Sequence, residues 1–321
     1  METGIESGPQ AMSLALLRQV KHALRNLNPA DVREEAAREV RIGIVASSAE
    51  LLGRMEAFLA PPHMSAERRT EALRSIIRGE AGCDIVLHEA SLLGHKGAFA
   101  FDLEAPEPCI RRVLKERPEL MLPLARRFFP FRKPASQRIV RDVAQENALF
   151  CLATALPDVV PSIFSLPWAV GEYSSDAIFL TVNQIRMAFL LAAASDRPLG
   201  YREQKAEIAS IAASSFGWRA LARELAGKIP LGGGLVPKAA IAWAGTFALG
   251  LSMERLYRLG YGFSREERVA VYKEAFQHGK EVAGLLLADL MRGKGSKRAG
   301  MPIPAAAPSV ATPSVSRGRV A

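Results

Sequence analysis

The chain has 321 residues, 49% of them hydrophobic, 23% charged and 7% aromatic, with a formal net charge of +9 at pH 7. These proportions exclude a disordered chain and allow one large domain or two ordinary ones. Cys83, Cys109 and Cys151 are too few and too scattered for a disulfide framework or a structural zinc site, so a reducing, cytosol-facing compartment is expected.

The charge is unevenly placed. Arg292, Lys294, Lys297, Arg298, Arg317 and Arg319 give residues 292–321 six positive charges and no acid, two thirds of the net total. With few aromatics and the excess charge in a tail, a folded nucleic-acid platform is not supported.

Residues 1–10 are acidic and polar, unlike the basic start of a signal peptide. Residues 11–27 carry Met12, Leu16, Val20 and Leu24 at helical spacing beside Arg18, Lys21 and Arg25, which predicts a basic amphipathic helix. Its first reading is packing on the domain, its second docking on an anionic membrane surface. Asn28, Pro29 and Asp31 then supply an N-cap, a first-position proline and a first-turn acid for a short helix. The β-branched run VRIGIVA at 40–46 predicts a strand, and Ser47 turns the chain into an apolar helix over 51–59. Ser65 opens another helix that Gly79 can close, and DIVLH at 84–88 and AFAFDL at 98–103 read as strands. Residues 28–105 are thus expected to form a small three-stranded α/β layer.

From Pro106 onward the pattern is helical, interrupted by Pro118, Pro123, Pro130 and Pro134. Apolar helices are predicted over 137–156 and 177–195, and further helices over 202–215 and 218–226, with IPLGGGLVP at 229–237 as a turn. Ser264 and Glu267 form a capping box ahead of Val269, Tyr272, Phe276, Ala283, Leu286 and Leu290 at 3-and-4 spacing. Residues 292–321, rich in Pro, Ala, Ser and basic side chains, predict a disordered tail. The fold class is therefore α+β: a small α/β unit at 28–105 and a mainly α-helical domain at 118–291, between the 1–27 helix and the tail.

Two windows approach the length of a membrane span. Residues 147–171 hold one charge, Asp158, with Pro157, Pro161 and Pro167, while residues 229–253 hold one charge, Lys238. An ionisable group at mid-bilayer costs about 2.5 to 3.5 kcal/mol. Core helices are accordingly the first reading and a hairpin in lipid the second.

The strand, turn and helix at 40–59 stand where a phosphate-binding loop would be. That chemistry needs G-x-x-x-x-G-K-[ST], but Ala46, Leu51, Leu52 and Gly53 occupy its four defining positions. If the unit descends from a nucleotide-binding domain, it has lost its means of holding a triphosphate. It leaves a weak anion contact at Ser47 and Ser48 beside the plainer role of N-cap serines. Cys83, His88 and His95 fit no zinc spacing, and no catalytic constellation, metal site or cofactor is expected. More informative are the polar residues inside apolar helices. Asp176, Asn183 and Arg186 fall within about 80° on a helical wheel, with Thr181 and Gln184 adjacent. Buried polar groups need partners, so this stripe is expected to join helices, with recognition of a polar ligand or partner as the functional alternative. Asp158, between Pro157 and Pro161, belongs to the same class of polar interaction candidates.

Several ordered motifs, FFPFR at 128–132, ALPDVVP at 155–161, SDAIFLTVNQIRM at 175–187, KIPLGGG at 228–234 and AGTFALG at 244–250, resemble the bacterial family filed as domain of unknown function 697 over residues 126–261. Members of that family occur alone or behind Era-like GTPase domains, and some are inner-membrane proteins. The resemblance implies a helical module associated with GTPases and membranes, without an established catalytic role, and would make the small α/β unit at 28–105 a degenerate P-loop GTPase-like domain. The expected function is a non-catalytic, membrane-associated interaction or scaffold protein, on the cytoplasmic side of the membrane, peripheral or integral. Its partners would be an anionic membrane surface or bilayer, a GTPase, or a second copy of the chain. The alternatives are a divergent GTPase-like nucleotide-binding protein and a soluble cytoplasmic adaptor whose tail binds nucleic acid.

Overall fold

The structure, a computed structural model, describes residues 27–92, 97–155, 176–211 and 234–291. The predicted helix at 11–27 up to residue 26, the helix at 202–215 beyond residue 211, the helix at 218–226, the turn at 229–237 up to residue 233, the tail, His95 and Asp158 lie outside these residues.

Helix α1 (Pro29–Ala37) begins as its sequence dictates, with Asn28 Oδ1 accepting from the Ala30 amide at 3.0 Å. Strand β1 (Ile42–Val45) follows, then α2 (Ala49–Leu59), α3 (Ala66–Arg74), β2 (Ile76–Arg78), β3 (Ile85–Glu89) and β4 (Phe99–Phe101). All pairings are parallel, in the order β2-β1-β3-β4. In register, Ile42 and Ile44 stand beside Ile85 and Leu87, and Leu87 beside Phe99; all five are buried and form one face of the sheet.

The sheet has four strands rather than the expected three. Helix α3 ends at Arg74, and residues 76–78 pair with β1 through Ile42 and Ile76 instead of continuing the helix to Gly79. Ile76 and Ile77 extend the helical spacing of Ala72 and Leu73, so the local pattern reads as one helix. The free edge of β1, brought close by folding, decides otherwise.

The connection at 79–84 carries the chain from β2 back across β1 to β3. It leaves no space on that face. A Cβ at Gly43 would lie 2.5 Å from the Gly79 carbonyl oxygen and 2.9 Å from Cys83 Sγ. Gly79 itself sits at φ +129°, where the turn needs a residue without Cβ.

Beyond the sheet come α4 (Glu107–Glu116), a 3₁₀ turn (Pro118–Leu120), α5 (Met121–Arg127), α6 (Phe129–Ala155), α7 (Asp176–Ala194), a helical stretch at 205–211, α8 (Leu235–Leu259) and α9 (Arg265–Met291). The prolines do not break this region as predicted. Pro118 opens the 3₁₀ turn, while Pro123 and Pro130 fall in the first turns of α5 and α6, where a missing amide costs no helical bond; Pro134 is tolerated inside α6. Helix α6 therefore starts eight residues before the predicted 137. The capping box forms as read: Glu267 Oε2 accepts from the Ser264 amide at 2.8 Å, and Ser264 Oγ from the Glu267 amide at 3.2 Å.

Helix α8 occupies the centre, packed against α6, α7 and α9. Its small residues permit this closeness: a Cβ at Gly250 would meet the Val140 side chain at 2.6 Å and Met187 at 3.0 Å. Helix α1 packs on α5 and α7, and one hydrophobic core runs from Val32 through the sheet to Leu286 on α9.

Gly43→Ala is expected to lower stability by about 1 to 3 kcal/mol, because the crossover backbone has to move. Gly53→Ala on α2, with open space around it, should be neutral or stabilise by up to about 1 kcal/mol. Urea unfolding of the two variants checks both, and equal midpoints would refute the close crossover.

Candidate functional site

Parallel sheets bind ligands outside the carboxyl ends of their strands, where the strand order reverses. Here that place lies between β1 and β3, and it contains Ser47, Ser48, Glu89 and Ser91. Ser48 is the N-cap of α2, its Oγ accepting from the Leu51 amide at 3.2 Å. Ser47 is tied to the neighbouring strand instead: its amide donates to Glu89 Oε2 at 2.8 Å and its hydroxyl to the same oxygen at 2.6 Å. The Ser91 hydroxyl donates to Glu89 Oε1. The chain's own carboxylate thus takes the donors that a bound anion would use, beside the amino end of α2.

These bonds, from the Ser47 hydroxyl first, then Ser91 and the Ser47 amide, hold the Glu89 carboxyl below the usual carboxylate range. A folded pKa below the unfolded one gives stabilisation that is complete above the unfolded value and lost as pH falls through the folded value. NMR titration should place Glu89 below ordinary exposed glutamates, and Ser47→Ala should move it upward. An unmoved midpoint would show that Ser47 does not hold the carboxylate.

The polar stripe of α7 meets partners on two other helices. Asn183, fully buried, donates to Asn147 Oδ1 at 2.8 Å and to Glu146 Oε2 at 3.1 Å, both on α6. Asn147 donates to Thr246 Oγ1 on α8 at 2.8 Å, and Gln184 donates to the same hydroxyl at 3.1 Å. Arg186 pairs with Glu146 Oε2 at 3.2 Å and reaches Asn183 Oδ1 at 3.4 Å. Thr181 is also buried. The Asp176 side chain lies outside the described residues.

Arg186 also acts on Glu35 of α1 and on Asp142, one turn before Glu146 on α6. Burial raises the pKa of all three carboxyl groups, and the Arg186 charge opposes the rise in each. The hydrogen bonds therefore join α6, α7 and α8, and the Arg186 charge extends to Glu35 on α1. Asn147, Glu146 and Thr246 were not singled out in the sequence, although Thr246 is the one hydroxyl in the run AGTFALG and Asn147 precedes the apolar ALF. Those isolated polar letters were the available signal.

Among the described residues, no group of three or more His, Cys, Asp or Glu side chains is arranged to hold a metal ion. Burial pushes the Cys109 thiol up to about 11, against the thiolate a nucleophile needs. No family model, curated protein or solved structure matches the chain.

Asn147→Ala should cost about 1 to 3 kcal/mol, because Asn183 and Thr246 each lose a buried partner. Chemical denaturation checks this, and a loss below about 0.5 kcal/mol would mean that the helices do not depend on the network.

Proposed function

We propose that the chain is a non-catalytic interaction module that attaches peripherally to an anionic membrane surface and serves there as a scaffold. The observation that carries this reading is the position of α8. Leu235–Leu259 is long and apolar enough to cross a membrane. Yet residues 242–250, more than two helical turns, are buried throughout, between α6, α7 and α9. A helix apolar all round fits a protein core as well as a bilayer, and here neighbouring helices take the contacts that lipid would make.

What remains for a membrane is charge. Residues 292–321 bring six cations without an acid, each worth about 1 kcal/mol near an anionic leaflet and screened by salt. The motifs resembling domain of unknown function 697 support the same association, and with it a GTPase or a second copy of the chain as protein partner. The buried polar cluster supports a structural rather than a reactive interior, because its groups answer one another across three helices. The nucleotide-binding alternative draws support from the parallel strand, turn and helix. Glu89 tells against it, since a phosphate approaching Ser47 would meet a carboxylate already there.

Fractionation of native cells tests the proposal. Washing the membranes with high salt is expected to release the protein, without detergent. Release by detergent alone would place a helix in the bilayer, and recovery wholly in the soluble fraction would favour a cytoplasmic adaptor.

A further inference from the structure

The FFPFR motif divides its side chains between two environments. Phe128 and Phe131 are fully buried, whereas Phe129 is 41% exposed at the start of α6. Its ring lies against His63, with centroids 4.6 Å apart, and the Arg132 guanidinium stands 5.6 Å from its centroid. Lys133, one helical turn from Phe129, is exposed.

Arginines continue from this point. Arg132 reaches Asp196 at 3.5 Å, and Arg126 and Arg68 reach the same carboxylate at 3.3 and 2.8 Å. Arg68 also pairs with Glu71 at 3.3 Å, as does Arg127 at 3.5 Å. Asp196 itself is held at φ 55° just past α7, a conformation that Asp tolerates better than most residues, and it is nearly buried. Four guanidiniums from α3, α5 and α6 therefore share two carboxylates, one of them covered. Arg132 Nε is buried without a hydrogen-bond partner. With no acid in the first turn of α6, the positive end of that helix adds to the same field.

We propose that this face, the arginines around Asp196 with Phe129 and Lys133 beside them, is the surface that seats the protein on an anionic phospholipid membrane. The inference rests on the peripheral attachment proposed above and assigns it to particular residues. Its chemistry is that of interfacial binding: guanidinium and ammonium groups meet lipid phosphates, while an exposed aromatic ring enters the boundary between headgroups and acyl chains. Anionic lipid is the occupant, because Arg68, Arg126, Arg127, Arg132 and Lys133 outnumber Asp196 and Glu71, which leaves a positive face, and Phe129 stands exposed beside Arg132 on it.

The test is co-sedimentation of the full chain with vesicles of phosphatidylcholine alone and of phosphatidylcholine mixed with phosphatidylglycerol. Arg127→Gln, Phe129→Ser and Lys133→Gln combined should weaken partitioning onto the mixed vesicles by about 25-fold or more, taking roughly 5-fold per cation and a further loss from the ring. Should that variant fail to fold by circular dichroism, Lys133→Gln alone is expected to lose about 5-fold. The matched control, Arg111→Gln with Lys115→Gln on α4, removes equal charge elsewhere and should bind like the parent. A full chain carrying glutamine at the six basic positions of residues 292–321 loses the tail's share of binding but should still weaken by the same factor when the three face substitutions are added.

Parent-like binding by the face variant, with loss on neutralising the tail, would overturn this assignment and leave peripheral attachment standing. An equal loss in the α4 control would also overturn it, since charge alone would then be sensed. A parent chain that ignores phosphatidylglycerol would overturn both proposals.

Discussion

Helix α8 imposes the main constraint on the molecule, because its charge-free middle, residues 239–251, is apolar on nearly every side and cannot lie on a surface. It has to be enclosed, and α6, α7 and α9 enclose it. Close approach requires small side chains where the helices touch, as at Gly250 against Val140 and at Gly279, whose Cβ would lie 3.0 Å from the Ala240 carbonyl oxygen. Such packing by itself tolerates sliding. The Asn147, Asn183, Gln184 and Thr246 network pins α6, α7 and α8, since a shift of any one of these three would leave buried amides unpaired.

The small sheet obeys a different constraint. Its β2 to β3 connection is too short to contain a helix, so the chain runs directly over β1, and Gly43 leaves the gap it needs. At the other end of the same strand the loop is tied by Glu89. A parallel sheet with a reversal between β1 and β3 has a crevice suited to ligands, but charge and hydrogen bonding there are satisfied from within. Architecture alone therefore does not imply nucleotide chemistry.

The two carboxylate clusters contrast in the same terms. Around Arg186, Glu146 is paired directly, while Glu35 and Asp142 feel the same charge at longer range, and desolvation is the largest influence on all three. Around Asp196 the ratio is inverted, with three guanidiniums on one covered carboxylate. That excess of cations, with Phe129 and Lys133 exposed beside it, is why the second cluster and not the first is proposed as a contact surface.

Much of the local structure was legible from residues alone. Asn28 and Pro29, Ser48, and the Ser264 and Glu267 box mark helix starts because capping depends only on neighbours a few residues apart. β1, β3 and the apolar helices follow likewise from composition and spacing. The α7 stripe was recognisable as polar letters in an apolar run, and the need for partners could be inferred from burial energetics. Which partners they would be could not, because Asn147 and Thr246 are 36 and 63 residues from Asn183. β2 depends on pairing with the edge of β1, 34 residues earlier in the chain. The Ser47 to Glu89 bond and the gathering of Arg68, Arg126 and Arg132 on Asp196 likewise depend on separations that spacing does not encode. Short-range order was thus determined by the sequence, and every contact between elements was decided by the tertiary structure.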